Sequence, residues 1–204
     1  MSKDACSIAQ QSLDWCEGTP EPAGIRRTSY YTAFSNLVKY PRLPVDHRGR
    51  PTSSVLKGEF VMKGDAVFHK IVFLPEKSTF TSETQGEYPS QSQLDKLTLL
   101  HPGVGPEAVM AQVSINNTKN VFLFQDKKGR WRMVGHPDYD DMKNSVAQDL
   151  GQGSAGTTST TISVEAPNLV SAPFFSGTIT TDEGEIDLTS DLIQVDMDPE
   201  DAQP

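Results

Sequence analysis

Apolar and polar positions along this chain alternate in short runs with a period of two, and one stretch has a period near four. Residues 25–32 (Ile25-Arg26-Arg27-Thr28-Ser29-Tyr30-Tyr31-Thr32) and 37–40 are rich in β-branched and aromatic side chains and predict strands. Residues 55–62 and 66–74 are two further runs of this kind on either side of Lys63-Gly64-Asp65, and the spacing predicts a hairpin between them. Residues 79–84 and 93–100 add two strands. Pro106 stands at a first helical position with Glu107 beside it, and apolar residues follow at 109, 110, 113 and 115 before the pair Asn116-Asn117. This pattern predicts a helix of about three turns over 106–117.

Directly after it, Val121-Phe122-Leu123-Phe124-Gln125 and Arg130-Trp131-Arg132-Met133-Val134 flank Asp126-Lys127-Lys128-Gly129, the clearest hairpin in the sequence. Residues 155–166 carry a Thr/Ser-rich run with strong β character and little apolar bulk, suited to a half-packed pleated surface. Residues 174–181 and 185–188 complete the expected strands. The ends and one insertion differ from this body. Residues 1–23 form an arm that closes in Gly18-Thr19-Pro20-Glu21-Pro22, with a short helix expected around residues 8–15. Residues 41–54, with Pro41, Pro44, Gly49 and Pro51, are a long loop of the kind that serves a function or reaches a neighbour. The expected organisation is therefore an arm (1–23), a β-rich body (24–181) and a C-terminal segment (182–204).

Charge sets that last segment apart. The formal net charge is −9 from 27 acidic and 18 basic residues. Nine of the acids (Asp182, Glu183, Glu185, Asp187, Asp191, Asp196, Asp198, Glu200 and Asp201) lie in residues 182–204 without a Lys or Arg, so the rest of the chain is balanced. Such a run is either a solvated tail or a segment that keeps anionic polymers from sticking. The mean hydropathy of −0.44 is low for a free-standing subunit and suggests a core completed by arms or by a partner. The sequence shows no transmembrane run and no secretion signal, so Cys6 and Cys16 are expected as reduced thiols.

Candidate chemistry is sparse. Gly151-Gln152-Gly153-Ser154-Ala155-Gly156 spells G-x-G-x-x-G, but a β-prone run follows where a dinucleotide site needs a helix, so a flexible loop is expected. Asp138-Tyr139-Asp140-Asp141 could gather Ca²⁺ but lacks the glycine and distal Glu of an EF-hand loop. His47, His69, His101 and His136 are scattered, with no second His or Cys at ligand spacing. No serine or cysteine has the setting of a nucleophile. Asn116-Asn117-Thr118 has the form of a glycosylation triplet, which is without meaning in an unexported chain. Lys127-Lys128-Gly129-Arg130-Trp131-Arg132 is a basic cluster with an aromatic, readable as a charged hairpin tip or as a nucleic-acid contact. No catalytic residue, cofactor site or metal site is assigned, and no enzymatic activity is expected.

The segments 56–60 through Gln85-Gly86-Glu87-Tyr88-Pro89-Ser90-Gln91, the helix 106–117, the hairpin 120–135, and Thr160-Thr161-Ile162-Ser163-Val164-Glu165-Ala166 with Ala172-Pro173-Phe174-Phe175 resemble, in pattern and order, proteins of gut Bacteroidetes phages and prophages that look like major tail tube proteins. The resemblance covers residues 55–180 and transfers no functional residue. It implies a mainly β, sandwich or barrel-like subunit with one flanking helix, an extended N-terminal arm and a long loop. Such subunits form hexameric rings that stack into a DNA-conducting tube in the virion tail. The partners it implies are copies of the chain and other tail proteins, with DNA passing through unbound and no membrane insertion. A head decoration or connector protein and a carbohydrate- or receptor-binding β-module are the rival readings. The last should expose an aromatic platform, for which Trp15 and Trp131 are the candidates.

Overall fold

A computed structural model describes residues 10–153 and 156–189. Of the described residues 46% are in strand and 10% in helix, the mainly β balance expected from the short β-prone runs. The strands are β1 (Ile25–Ala33), β2 (Leu37–Lys39), β3 (Val61–Met62), β4 (His69–Val72), β5 (Thr79–Gln85), β6 (Ser92–Pro102), β7 (Asn120–Asp126), β8 (Trp131–Val134), β9 (Lys143–Asp149), β10 (Ser159–Asn168), β11 (Phe174–Phe175), β12 (Thr178–Thr181) and β13 (Gly184–Asp187). The helix, α1, spans Pro106–Asn117.

Two sheets make a β-sandwich-like body. One has the order β11-β8-β7-β1-β4 and the other β5-β6-β10-β9; β2-β3 and β12-β13 form separate two-stranded ribbons. Ile71, Phe73, Leu97, Leu99, Phe122, Phe124, Ile162 and Val164 fill the space between the sheets. The five-stranded sheet is buried on its other face as well. There Tyr30, Leu123, Trp131 and Met133 meet Leu43 from the long loop, Leu56 just after it, Ile179 from β12 and Leu188 just beyond β13. This double burial explains why residues 121–124 are buried without alternation, since both sides of β7 face protein.

The hairpin expected at 120–134 forms with Phe124 opposite Arg132. Asp126 closes its turn, accepting hydrogen bonds from the Arg130 amide at 3.0 Å and the Arg130 Nε at 2.7 Å, while Gly129 takes the left-handed conformation at φ +90°. The helix occupies the expected residues. Thr118 bonds back to the Ser114 carbonyl and Asn117 to the Val113 carbonyl, so the polar residues at its end close its last turn.

Three expectations need correction. The two runs 55–62 and 66–74 do not pair with each other. Instead Val61–Met62 joins β2, and β4 joins β1 with Ser29 opposite Ile71. A local hairpin would leave that side of β1 bare. The observed pairing instead puts Ile71 and Phe73 between the sheets and Phe68 on the opposite face, under Phe60. Residues 174–181 are two strands rather than one, because Gly177 breaks the run and β12 turns into the ribbon with β13. The arm has no helix over residues 10–15, where Leu13 and Trp15 are exposed and offer no packed face to stabilise one; residues 8 and 9 lie outside the described residues.

Candidate interaction surfaces

The outer face of the four-stranded sheet is set by alternation. Leu97, Leu99, Ile162 and Val164 point inward, so Lys96, Thr98, Thr161, Ser163 and Glu165 point outward. Cross-strand register aligns them in rows, one of them Thr79, Thr98, Ser163 and Ser145, the next Thr81, Lys96, Glu165 and Lys143. The result is a face of short hydroxyl side chains with a few charges mixed in sign, including a 2.7 Å ion pair between Lys96 and Glu83, and with the half-buried Leu94 and Leu100 among them.

Helix α1 is set against the β9 edge of this sheet by amide side chains. Asn116 Oδ1 accepts the Val146 N–H at 2.9 Å, and Gln112 Nε2 donates to the Val146 carbonyl, also at 2.9 Å. Residues 112 and 116 are one turn apart, so together they satisfy both backbone groups of Val146 as a neighbouring strand would. Asn144 returns the contact through the carbonyls of Ile115 and Thr118. This edge is thereby closed to strand pairing at its centre, while β5 at the opposite edge pairs only with β6 among the described residues.

The core contact of α1 comes from Ile115 with Ala111, leaving Val109, Met110 and Val113 on the exposed side. Between α1 and strand β4 runs a cleft of about 520 Å³ with Tyr31, Ile71, Met110, Ala111 and Ile162 in its walls. His69 and His101 also line it, with the His101 Nδ1 2.7 Å from the Val72 carbonyl. No cluster of three metal-ligating groups exists among the described residues. The arm supplies a second uncovered apolar element, since Leu13 is 97% and Trp15 64% exposed.

The other singled-out residues are placed as follows. His47 is exposed in the long loop. His136 is buried, its Nδ1 accepting the Asp138 N–H at 3.1 Å and its Nε2 facing the Pro41 carbonyl at 3.2 Å. Burial holds its pKa below the ordinary histidine value, which suits a neutral ring that pins the start of the loop. Asp138 extends this latch through Tyr40 at 2.6 Å and Arg42 at 3.1 Å, and Asp140 pairs with Lys119 at 2.7 Å, so two of the three acids in 138–141 make structural contacts. The loop tip is ordered by Asp46, whose carboxylate accepts from the Arg50 and Arg48 amides and from the Arg50 side chain. These bonds, the Arg50 amide foremost, lower its pKa to about 2.

Gly151 and Gly153 sit in the connection between the antiparallel β9 and β10, a strand-to-strand turn without the helix a dinucleotide site needs; Ser154 and Ala155 lie outside the described residues. A Cβ on Gly151 would meet the Thr157 nitrogen at 2.8 Å, so the glycine serves chain packing. Cys16 is exposed, and Cys6 is outside the described residues. Trp131 is buried, 5.7 Å from the Tyr30 ring, and cannot form a surface platform.

Of the acidic segment, residues 182–189 belong to the folded body. Glu183 pairs with Lys70 at 3.1 Å, Asp187 caps the Thr189 amide at 2.8 Å, and Leu188 is buried. Asp191, Asp196, Asp198, Glu200 and Asp201 lie outside the described residues. Sequence reading missed strand β9 and the edge-capping pair Gln112 and Asn116. Their one signal was two amide residues at helical spacing in a helix with a weak apolar face. No helix among the described residues is long and apolar enough to cross a membrane. Comparison of the chain with known protein families, with curated proteins and with solved structures gives no match.

Proposed function

We propose that this chain is a structural subunit of a phage tail tube, assembling with copies of itself into stacked rings around a channel for DNA. The observation that carries the reading is the presence of two uncovered apolar elements on one subunit, the arm and the cleft beside α1. Residues 10–23 leave Leu13 and Trp15 in solvent, and the cleft beside α1 leaves Met110 and its neighbours uncovered. Burying a side chain such as Leu13 contributes about 1.5–3 kcal/mol. Seating both residues on a neighbour would contribute about 3–6 kcal/mol, which offsets the ordering of the few residues around them but not of the whole arm, so ring-to-ring contacts outside the arm must carry the rest.

The hydroxyl face of the four-stranded sheet supports the channel half of the proposal. Short Thr and Ser side chains, with Lys96 and Lys143 opposed by Glu83 and Glu165, give passing DNA no net cationic anchor. The amide cap on Val146 narrows how rings could close: backbone pairing is open at β5, and contacts on the α1 side would run through side chains and the arm. The test is negative-stain imaging of concentrated protein, where stacked rings are expected. Deleting residues 1–20 should leave a folded subunit that stacks poorly. Monodisperse particles at all concentrations, or binding only to preformed head shells, would overturn the tube assignment.

A further inference from the structure

The arm and the cleft beside α1 match in chemistry but are held apart within one copy. Two contacts fix the root of the arm at the β7-β8 turn: the Lys127 N–H donates to the Gly24 carbonyl at 3.3 Å, and Glu21 pairs with Lys128. The cleft lies toward the other end of the same sheet. Its wall residue Tyr31 stands on β1 six positions beyond Ile25, which faces Asp126 at the mouth of that turn. A strand advances about 3.3 Å per residue, so about 20 Å separates Ile25 from Tyr31. The arm is shorter than that gap. Between Trp15 and Glu21 it folds back at residues 16–19, where the Thr19 N–H donates to the Cys16 carbonyl at 3.1 Å. The ends of such a turn lie within about 7 Å and the other three links add about 3.8 Å each, which gives Trp15 a reach of about 18 Å from Glu21. Glu21 is itself tied to the outer end of the turn, so a copy's own arm falls short, and its Leu13 and Trp15 lie in solvent.

The cleft suits these two side chains. They are two residues apart, so from an extended chain both point to one side while Asp14 points to the other, into solvent. Tyr31 and Ile71 form one wall of the cleft and Met110 and Ala111 the opposite one, and its volume of about 520 Å³ accommodates an indole and an isobutyl group together. A buried indole N–H needs an acceptor, and Ser114 and His69 stand in the walls to provide one.

We propose, on the reading that the chain assembles with copies of itself, that the arm of one copy seats Leu13 and Trp15 in the cleft between α1 and β4 of the next. Each copy then gives one arm and receives one. The contact is head-to-tail, so it closes into a ring or continues as a stack according to the rotation between copies.

Tryptophan fluorescence reports the seating directly. The chain has two tryptophans, and Trp131 is already buried in the subunit, so a change on assembly comes from Trp15. At concentrations where the unaltered protein assembles, emission should move to shorter wavelength and acrylamide quenching should fall, and Trp15→Phe should abolish both changes. Met110→Asp, at an exposed helix position, should keep the melting temperature of the unassembled subunit. It should nevertheless raise the concentration for half-assembly by at least about tenfold, as should Leu13→Ser/Trp15→Ser. In a Cys6→Ser background, Met110→Cys should give dimers linked to Cys16 by a bismaleimide and lost in Cys16→Ser. Val45→Cys, exposed in the long loop and outside the cleft, should not give them. Rings that form while Trp15 stays quenchable, or that Met110→Asp leaves unchanged, overturn the seating and leave the tube reading standing. Burial and cross-linking of the arm that rise with concentration, without rings, uphold the seating and overturn the tube. Burial of Trp15 at every concentration gives the cleft to the copy's own arm and overturns the exchange, and the absence of both rings and burial overturns both.

Discussion

The amide cap on β9 makes a prediction whose size can be worked from the structure. Val146 is 6% exposed, so its N–H has little access to water once Asn116 Oδ1, 2.9 Å away, is removed. A buried donor left unsatisfied costs about 1–3 kcal/mol. For a protein of this size each kcal/mol moves the melting temperature by about 2–4 °C, so at about 2 kcal/mol Asn116→Ala should melt about 4–8 °C lower. Alanine is the better helix former by up to about 0.7 kcal/mol, which offsets part of the loss. Asn117→Ala is the internal control, since it carries nearly the same propensity gain but removes only an exposed bond to the Val113 carbonyl. The difference between the two variants therefore isolates the cap. Thermal and urea unfolding followed by circular dichroism give the measurement. Two variants melting within about 1 °C of each other would show that water or a shifted backbone replaces Asn116, and that the helix does not guard this edge.

Other outcomes follow from single contacts. Gly135 has φ +82°, and a Cβ there would lie 2.4 Å from the Asn120 carbonyl oxygen, so Gly135→Ala should cost more than the roughly 1–3 kcal/mol of left-handed strain alone, read as a lowered urea midpoint. Burial lowers the His136 pKa in the folded protein, so the unfolded chain binds the proton more readily. Stability should be full above about pH 6.5 and fall as pH drops through that value, a dependence that His136→Gln should flatten. Asp95 is buried with its pKa raised, chiefly by desolvation. Its Oδ2 accepts the Ala172 N–H at 2.8 Å, while Oδ1 lacks a partner in hydrogen-bond geometry, though the Ser82 hydroxyl is near enough to temper the shift. A raised carboxyl pKa stabilises the fold below the unfolded value and loses that contribution as pH rises, so Asp95→Asn should melt at or above the unaltered protein at pH 8, and a lower melting temperature would show that the ionised carboxylate is needed. Neutralising Asp182, Glu183, Glu185 and Asp187 should raise DNA adhesion at low salt if the β12-β13 ribbon faces the DNA path, and change nothing in a gel-shift assay if it does not.

What the sequence determined by itself was local. The bounds of α1 were legible because Pro106 suits the first position of a helix and the pair Asn116-Asn117 marked its end, where Asn117 turns back on the Val113 carbonyl. The β7-β8 hairpin was legible because Asp126 and Gly129 fix its turn within five residues. Pairing partners far apart in sequence were decided by the tertiary structure. The runs 55–62 and 66–74 look like a hairpin on their own, and only the unpaired flank of β1 and the two faces of its sheet draw them apart. Strand β9, Lys143-Asn144-Ser145-Val146-Ala147-Gln148-Asp149, buries the one side chain Val146 and so sends almost no period-two signal. It is a strand because β10 pairs with one side of it and two amides of α1 satisfy the other. The surfaces follow the same division. The charge of residues 182–204 is written in the sequence, but the cleft beside α1 exists only once β1, β4, β10 and α1 are assembled, because its walls come from elements far apart in the chain.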